Sequence, residues 1–148
     1  MLGALLAASC STEVTVSDTV GPARPLPRGD LGQLVVYSAT RVGSGPLEDP
    51  DYFVHTDYTL IDAAGAKRAV VNQEGVRGED VRSLPLAPGR YHVRAAGSQG
   101  MVVVPVLIVA GRTTMVDLDG SVLGRTDTRT GDWVRLPDGQ AIGWRPMP

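Results

Sequence analysis

Apolar and polar residues alternate most regularly between Leu84 and Leu118, and the elements predicted for the rest of the chain are placed around this stretch. Along it, one set of residues alternates with a basic set: Tyr91, Val93 and Ala95 with Arg90, His92 and Arg94. A period of two is typical of a strand with one buried face. Pro88-Gly89 predicts a type II turn before this strand, because proline presets φ and glycine supplies the positive φ that follows.

Two further strands are predicted directly after this one. Gly97-Ser98-Gln99-Gly100 has the length of a hairpin loop, and residues 101–109 form an apolar, β-branched run that suits a strand covered on both faces. Pro105 argues against a helix and predicts an edge or bulged strand, because proline cannot donate to the ladder. After Ala110-Gly111, a third strand follows, whose expected buried set is Thr114, Val116 and Leu118.

Four shorter strands are predicted upstream and one hairpin downstream. The upstream strands cover residues 31–38, 56–62, 67–72 and 81–86. The hairpin joins residues 133–136 to 140–145 through Pro137-Asp138-Gly139, where Asp-Gly predicts a tight turn with φ > 0 at both central residues. With 148 residues, 43% hydrophobic content, 11 Pro, 18 Gly and no long amphipathic run, the chain is predicted to be one all-β domain.

The segments 84–93 and 110–118 resemble the closing strands of carboxypeptidase-regulatory-like, or transthyretin-like (prealbumin-like), β-sandwich domains. Those domains have a strand that begins with leucine, proline and glycine, and a later alanine-glycine-threonine-valine-leucine segment. The resemblance covers about residues 31–120 and implies a single Greek-key sandwich of about seven strands, a binding or spacer role and no catalytic residues. Some collagen-adhesin relatives form a lysine–asparagine isopeptide bond. We expect none, because Lys67 and Asn72 are five residues apart rather than on distant strands.

The N-terminus resembles the end of a bacterial lipoprotein signal peptide. Residues 1–8 are apolar and small, and Ser9 precedes Cys10, the residue type that becomes the acylated N-terminus in that family. The alternative interpretation is an unstructured N-terminus with an incidental cysteine, since no Lys or Arg precedes the apolar stretch. Lipid on Cys10 would make the membrane a partner and would place the chain in the cell envelope, as a periplasmic or outer-membrane lipoprotein.

This interpretation divides the chain into four segments. They are a signal segment (1–9), a linker (10–30), the β-sandwich (31–120) and a C-terminal extension with the hairpin (121–148). Pro and Gly between residues 21 and 29 favour an extended, polyproline-like chain. We therefore expect the N-terminal segment to be extended and to tether the domain to the lipid.

The sequence contains no recognisable catalytic or metal-binding motif. The two histidines, His55 and His92, are too few for a zinc site, which needs three or four ligands. No nucleophile elbow and no phosphate-binding loop is present. An acidic loop could begin a calcium site, but its spacing matches no EF-hand, and we interpret it as a solvated loop; its carboxylates are Glu48, Asp49 and Asp51. We predict that the chain is not an enzyme and uses no cofactor or metal.

Two sets of side chains are candidates for a binding surface. The basic row consists of Arg90, His92 and Arg94, and the aromatic set consists of Trp133 and Trp144. The alternatives are an ordinary solvated face for the first set and core packing for the second. The predicted function is a non-catalytic envelope lipoprotein whose β-sandwich is a binding or structural module for an envelope protein or glycan. A carbohydrate-binding module that uses exposed aromatic rings is the alternative. A net charge of −2 predicts no nucleic-acid partner.

Overall fold

Short strands that alternate buried and exposed residues dominate the structure. The structure is a computed structural model, and it describes residues 12–25, 29–43, 52–75, 78, 80–123 and 131–146. Within those ranges the chain forms 13 strands and no helix. The strands are β1 (Val14–Thr15), β2 (Pro22–Pro25), β3 (Gly32–Tyr37), β4 (Thr40–Val42), β5 (Phe53–His55), β6 (Tyr58–Ile61), β7 (Lys67–Val70), β8 (Ser83–Leu86), β9 (Gly89–Gly97), β10 (Gly100–Ile108), β11 (Arg112–Asp117), β12 (Trp133–Arg135) and β13 (Ala141–Trp144). None of the described segments is a helix that is long and apolar enough to cross a membrane.

Two main sheets enclose one hydrophobic core. The first has the strand order β1-β10-β9-β6-β7, and the second has the order β2-β11-β3-β8. Buried residues of both sheets belong to the same cluster, for example Val93 and Val104 from the first and Leu34 and Val116 from the second. The predicted all-β sandwich is therefore confirmed. All seven strands predicted between residues 31 and 120 are present, as β3 and β6 to β11, and a separate β4–β5 ribbon accompanies them.

The alternation predicted for β9 is confirmed. Val93 and Ala95 are buried and Tyr91 is half-buried, whereas the three residues of the basic row are exposed. On β10, every second residue from Val102 to Ile108 is buried, and the residues between them are half-buried. The prediction that both faces of this strand are covered is therefore wrong, because the outer face of the five-stranded sheet is open to solvent.

Pro105 lies where the ladder on one side of β10 is interrupted. The carbonyl oxygens of Val103 and Pro105 accept hydrogen bonds from the backbone N–H groups of Val16 (2.8 Å) and Val20 (2.9 Å). The residues between Val16 and Val20 leave the ladder, so the proline nitrogen faces this break. The missing donor therefore removes no regular ladder bond.

Two glycine corners carry the chain from one sheet to the other. At the β10–β11 corner, Gly111 has φ +72° and the N–H of Arg112 donates to the carbonyl oxygen of Val109 (3.2 Å), as in a type II turn. At the β8–β9 corner, Gly89 has φ +154°, which is positive, as expected, but is not the value of about +80° that a type II turn requires. The predicted turn type is wrong there, because Gly89 already belongs to β9 and pairs with Ile108.

The N-terminal segment is extended but lies along both sheets. β1 runs parallel to β10 with Val14 opposite Val102, and β2 runs antiparallel to β11. Between them, Val16 and Val20 are buried in the core, with 8% and 0% exposure. Residues 12–25, which belong to the predicted linker (10–30), are therefore part of the sandwich. The spaced valines are the signal that Pro and Gly content obscured.

Two ion pairs join this segment to the rest of the domain. Glu13 accepts from Arg94 of β9, with Oε2 and Nη2 2.9 Å apart. Asp18 accepts from Arg145, just after β13, also at 2.9 Å. Both pairs are about half-exposed, so each adds little stability by itself and their main effect is to fix the position of the segment.

The predicted C-terminal hairpin is present as β12 and β13. Its loop has three residues, because the N–H of Leu136 donates to the carbonyl oxygen of Gln140 and the N–H of Gly139 donates to that of Leu136, both at 2.9 Å. Gly139 has φ +91°, but Asp138 does not have a positive φ. The expected two-residue turn is therefore wrong. Pro137 favours a type I turn at this position, and a three-residue loop closes such a turn with a left-handed glycine.

Candidate functional site

Asp117 ends β11 and holds the loop that follows this strand. Its side chain is fully buried. Oδ1 accepts a hydrogen bond from the N–H of Gly120 (3.0 Å), and Oδ2 accepts from the N–H groups of Val122 (3.0 Å) and Leu123 (2.6 Å). One carboxyl group therefore satisfies three backbone donors that the chain would otherwise bury or leave to water.

Burial raises the pKa of the Asp117 carboxyl above its usual range. The backbone N–H groups of Leu123 and Val122 oppose this rise because they stabilise the charged form. The side chain of Asp119 adds to the rise, through a hydrogen bond to the carboxyl group of Asp117 and through its own negative charge. Asp117 and Asp119 are thus a pair of interacting carboxyl groups at one end of the sandwich.

His55 lies beside this carboxyl pair. Its Nδ1 is 3.6 Å from Oδ2 of Asp119 and 2.6 Å from the carbonyl oxygen of Ser38. Since a carbonyl oxygen only accepts, Nδ1 carries the hydrogen in this contact. The imidazole also lies edge-on to the ring of Tyr37, with the ring centroids 5.7 Å apart. His55 therefore connects β5 to the end of β3.

A buried amide continues this polar region into the core. Asn72 is fully buried, and its Nδ2 donates to the carbonyl oxygen of Val36 (2.8 Å) and to Oγ of Ser38 (3.1 Å). Its Oδ1 accepts from the backbone N–H of Arg82 (3.1 Å). Asn72 therefore joins the chain after β7 to β3 and to the segment before β8. Lys67, at the start of β7, is exposed.

The polar groups of this cluster are occupied with backbone partners. Both oxygens of Asp117 and Nδ1 of His55 bind main-chain groups, and the hydroxyl of Ser38 donates to the carbonyl oxygen of Thr56 (2.6 Å). The hydroxyl proton therefore points to a carbonyl oxygen and not to a base. In the described part of the chain, no three His, Cys, Asp or Glu side chains are placed to hold a metal ion. The arrangement is suited to fixing loops.

The basic row lies on the outward face of β9. All three of its residues are exposed, as the alternation predicts. Arg94 is bound to Glu13 through both Nε (3.0 Å) and Nη2 (2.9 Å), so one member of the row helps to hold the N-terminal segment. The contact with Glu13 is made by Arg94 and does not involve the other two members of the row, Arg90 and His92.

The two tryptophans pack on each other in the terminal hairpin. Their ring centroids are 3.8 Å apart, with 32° between the ring planes, and Trp133 is only 9% exposed. β13 contacts β11, and Trp144 forms a bridge with Gly21. The structure therefore does not place the tryptophans beside the basic row on β9. Cys10 and the acidic loop residues Glu48, Asp49 and Asp51 lie outside the described residues.

Two surface features were not predicted from the sequence. Val42 and Phe53 pair across the β4–β5 ribbon and are 55% and 59% exposed. A groove of about 320 Å³ lies at the end of the sandwich where the β9–β10 turn meets the hairpin loop; its apolar lining includes Val14, Met101, Val102, Leu136 and Pro137. The groove depends on contact between segments far apart in the chain, so no local pattern could have revealed it.

Comparison with protein-family models, with curated proteins and with solved structures finds no match to this chain. The function is therefore inferred from the residues and their geometry.

Proposed function

We propose that this chain is a non-catalytic lipoprotein of the cell envelope, in which lipid on Cys10 holds a β-sandwich that is a binding or structural module. The observation that carries the proposal is the position of the N-terminal segment. Only Ser11 separates Cys10 from Thr12, and residues 12–25 are built into both sheets. A lipid on Cys10 would therefore anchor the folded domain itself, without a long tether.

The polar cluster supports the non-catalytic part of this proposal. Asp117, His55 and Asn72 carry the chemistry that a hydrolytic or metal-dependent site would use, yet each is hydrogen-bonded to backbone groups of the sandwich or its loops. The division of the seven central strands between two sheets supports the resemblance to carboxypeptidase-regulatory-like and transthyretin-like sandwiches, which implies a binding or spacer role. The mutual packing of the two indole rings does not favour carbohydrate binding through the tryptophans, because each ring face turned to the other is unavailable to a sugar.

The anchor is tested by expressing the chain in bacteria fed radiolabelled fatty acid, with a basic segment fused before Met1 to supply the Lys or Arg that a signal peptide needs ahead of its apolar stretch. We expect the wild-type protein to carry label and to sediment with membranes, because the acylated cysteine inserts into the bilayer. The variant Cys10→Ala should carry no label and should remain in the supernatant. Label that persists at the same level in Cys10→Ala would overturn the proposal.

A further inference from the structure

We propose that the groove lined by Val14, Met101, Leu136 and Pro137 holds an acyl chain of the lipid on Cys10. This inference rests on the proposed function, because it requires that Cys10 is acylated. It adds the surface of the domain that meets the lipid and the orientation of the sandwich on the membrane.

The direction of the N-terminal segment puts its first described residue, Thr12, beside the groove. β1 runs parallel to β10, so the chain enters the sandwich at the end where the β9–β10 turn lies. The carbonyl oxygen of Thr12 lies against Gly100, only 3.5 Å from the position that a side-chain carbon on that glycine would occupy. Gly100 itself lines the groove. The N-terminal segment therefore leaves the domain at this end.

The remaining distance to Cys10 is short. Cys10 is two residues before Thr12, and two residues span at most about 7 Å of extended chain. A lipid attached to Cys10 would therefore be within reach of the groove that Gly100 lines beside Thr12. Because the attachment is covalent, the acyl chain that enters the groove is present there at a high effective concentration, while the other acyl chains of the lipid stay in the bilayer and hold the protein on the membrane.

The lining fits an acyl chain better than a polar ligand. The lining includes Val14 and Met101 from β1 and β10 and Leu136 and Pro137 from the terminal hairpin, and each of these is apolar. The flexible, unbranched side chain of methionine adapts to an irregular apolar ligand. The polar residues Ser98, Gln99 and Asp138 also line the groove and come from its two turns. An apolar groove with a few polar residues from turns is suited to a hydrocarbon chain whose head group stays in water.

The test uses residues 10–148, the chain that begins at Cys10 once the proposed signal segment is removed, in which Cys10 is the one cysteine. Cys10 is coupled to a maleimide that carries an alkyl chain ending in the environment-sensitive fluorophore NBD. In the wild-type protein we expect blue-shifted NBD emission and protection from iodide quenching, both lost when palmitate is added as competitor. Met101→Asp should give the emission and quenching of the solvated probe.

Val103→Asp is the matched control, since Val103 lies on the same strand and the same face but outside the groove. It should behave like wild type. Leu136→Asp, in the part of the lining that the hairpin supplies, provides a second loss-of-binding variant if Met101→Asp lowers the melting temperature. The groove assignment would be overturned, whatever the variants show, if the NBD emission maximum and the iodide quenching of the wild-type protein equal those of the urea-unfolded chain.

Failure of the anchor and failure of the groove are distinguishable. The intact mass of protein extracted from membranes reports acylation of Cys10 independently of the probe. If that mass shows no lipid, the proposed function fails and the groove loses its ligand. If the lipid is present but the wild-type probe is solvated, the anchor stands and the groove assignment is wrong.

Discussion

The indole rings of Trp133 and Trp144 lie opposite each other across the terminal hairpin, with their centroids 3.8 Å apart. The next residue of β12, Val134, and Ile142 of β13 are fully buried in the core that both main sheets share. The hairpin therefore contributes core residues in addition to its own aromatic pair. An isolated two-stranded hairpin would be marginal in water, so its order depends on this docking.

Shortening Ile142 should destabilise the whole domain. Ile142→Ala removes buried methyl groups and leaves a cavity, and we expect a loss of about 2–5 kcal/mol in the free energy of unfolding. Ile142→Val is the matched control and should cost only about 0.5–1.5 kcal/mol. Urea titration followed by tryptophan fluorescence measures both changes, and the folded protein should show the blue-shifted emission of buried indole. Equal stability of wild type and Ile142→Ala would show that the hairpin is not docked.

Valine at position 89 should strain the corner between β8 and β9. Gly89 has φ +154°, in an extended region of positive φ that is essentially confined to glycine. Gly89→Val should therefore cost about 1–3 kcal/mol in the free energy of unfolding. Gly131→Val is a suitable control, since an added Cβ there meets no atom within 4 Å. Equal melting temperatures for Gly89→Val and Gly131→Val would contradict the positive φ of Gly89.

Removing the hydroxyl of Tyr58 should stabilise the protein. The oxygen is buried and has no hydrogen-bond partner among the described residues. Tyr58→Phe should therefore raise the free energy of unfolding by about 1–3 kcal/mol, the cost of an unsatisfied buried polar group. Tyr91→Phe is the control, because the hydroxyl of Tyr91 donates to the carbonyl oxygen of Ala87 (2.8 Å) and its loss should be neutral or destabilising. Destabilisation of Tyr58→Phe in chemical denaturation would refute this account.

The same hydroxyl gives a second measurement in alkali. Burial raises the pKa of Tyr58 from 10.0 to about 12, against the opposing charges of Arg68 and Arg82. The native state therefore keeps this proton to a higher pH than the unfolded state does. The stability of the wild-type protein should fall as pH rises from 10 to about 12. Tyr58→Phe should lack this part of the decline.

The carboxyl pair predicts a pH dependence on the acid side. The pKa of Asp117 is raised by burial and by Asp119, so the native state binds this proton more tightly than the unfolded state does. The contribution of this group to stability is therefore complete at low pH and is lost as pH rises from the ordinary value of 3.8 towards the raised pKa. Asp119→Asn removes the neighbouring charge and should make this decline shallower. It should also increase stability near neutral pH.

Asp138→Asn is the control for this experiment, since Asp138 is exposed in the hairpin loop and its Oδ1 accepts a local backbone hydrogen bond from Gln140 (2.9 Å). Denaturant titrations from pH 3 upward give the slope of stability against pH for each protein. An Asp119→Asn slope equal to those of wild type and Asp138→Asn would mean that the two carboxyl groups do not interact.

Sequence reasoning succeeded where the signal was local. The faces of β9, the buried set of β11 and the seven central strands follow from a period of two, which depends only on neighbouring residues. Sequence reasoning failed for residues 12–25. Their composition favours a linker, but Val16 and Val20 are buried and hydrogen-bonded to β10, and these contacts hold the segment in the sandwich. The same reasoning missed the β4–β5 ribbon, whose strands of three residues are too short for a periodic pattern.

Local alternation was enough to show that the chain forms an all-β domain with a terminal hairpin, and to identify the buried residues of β9 and β11. The pairing of β6 with β9 and of β3 with β11 became visible only in the folded chain. The same is true of the polar groups that enter the core, since Asn72 reaches Val36, 36 residues earlier in the chain. The reason is physical. Alternation reports how each segment divides apolar from polar surface, whereas strand order and the burial of an amide or a carboxyl group depend on partners that distant segments bring together only when the chain folds.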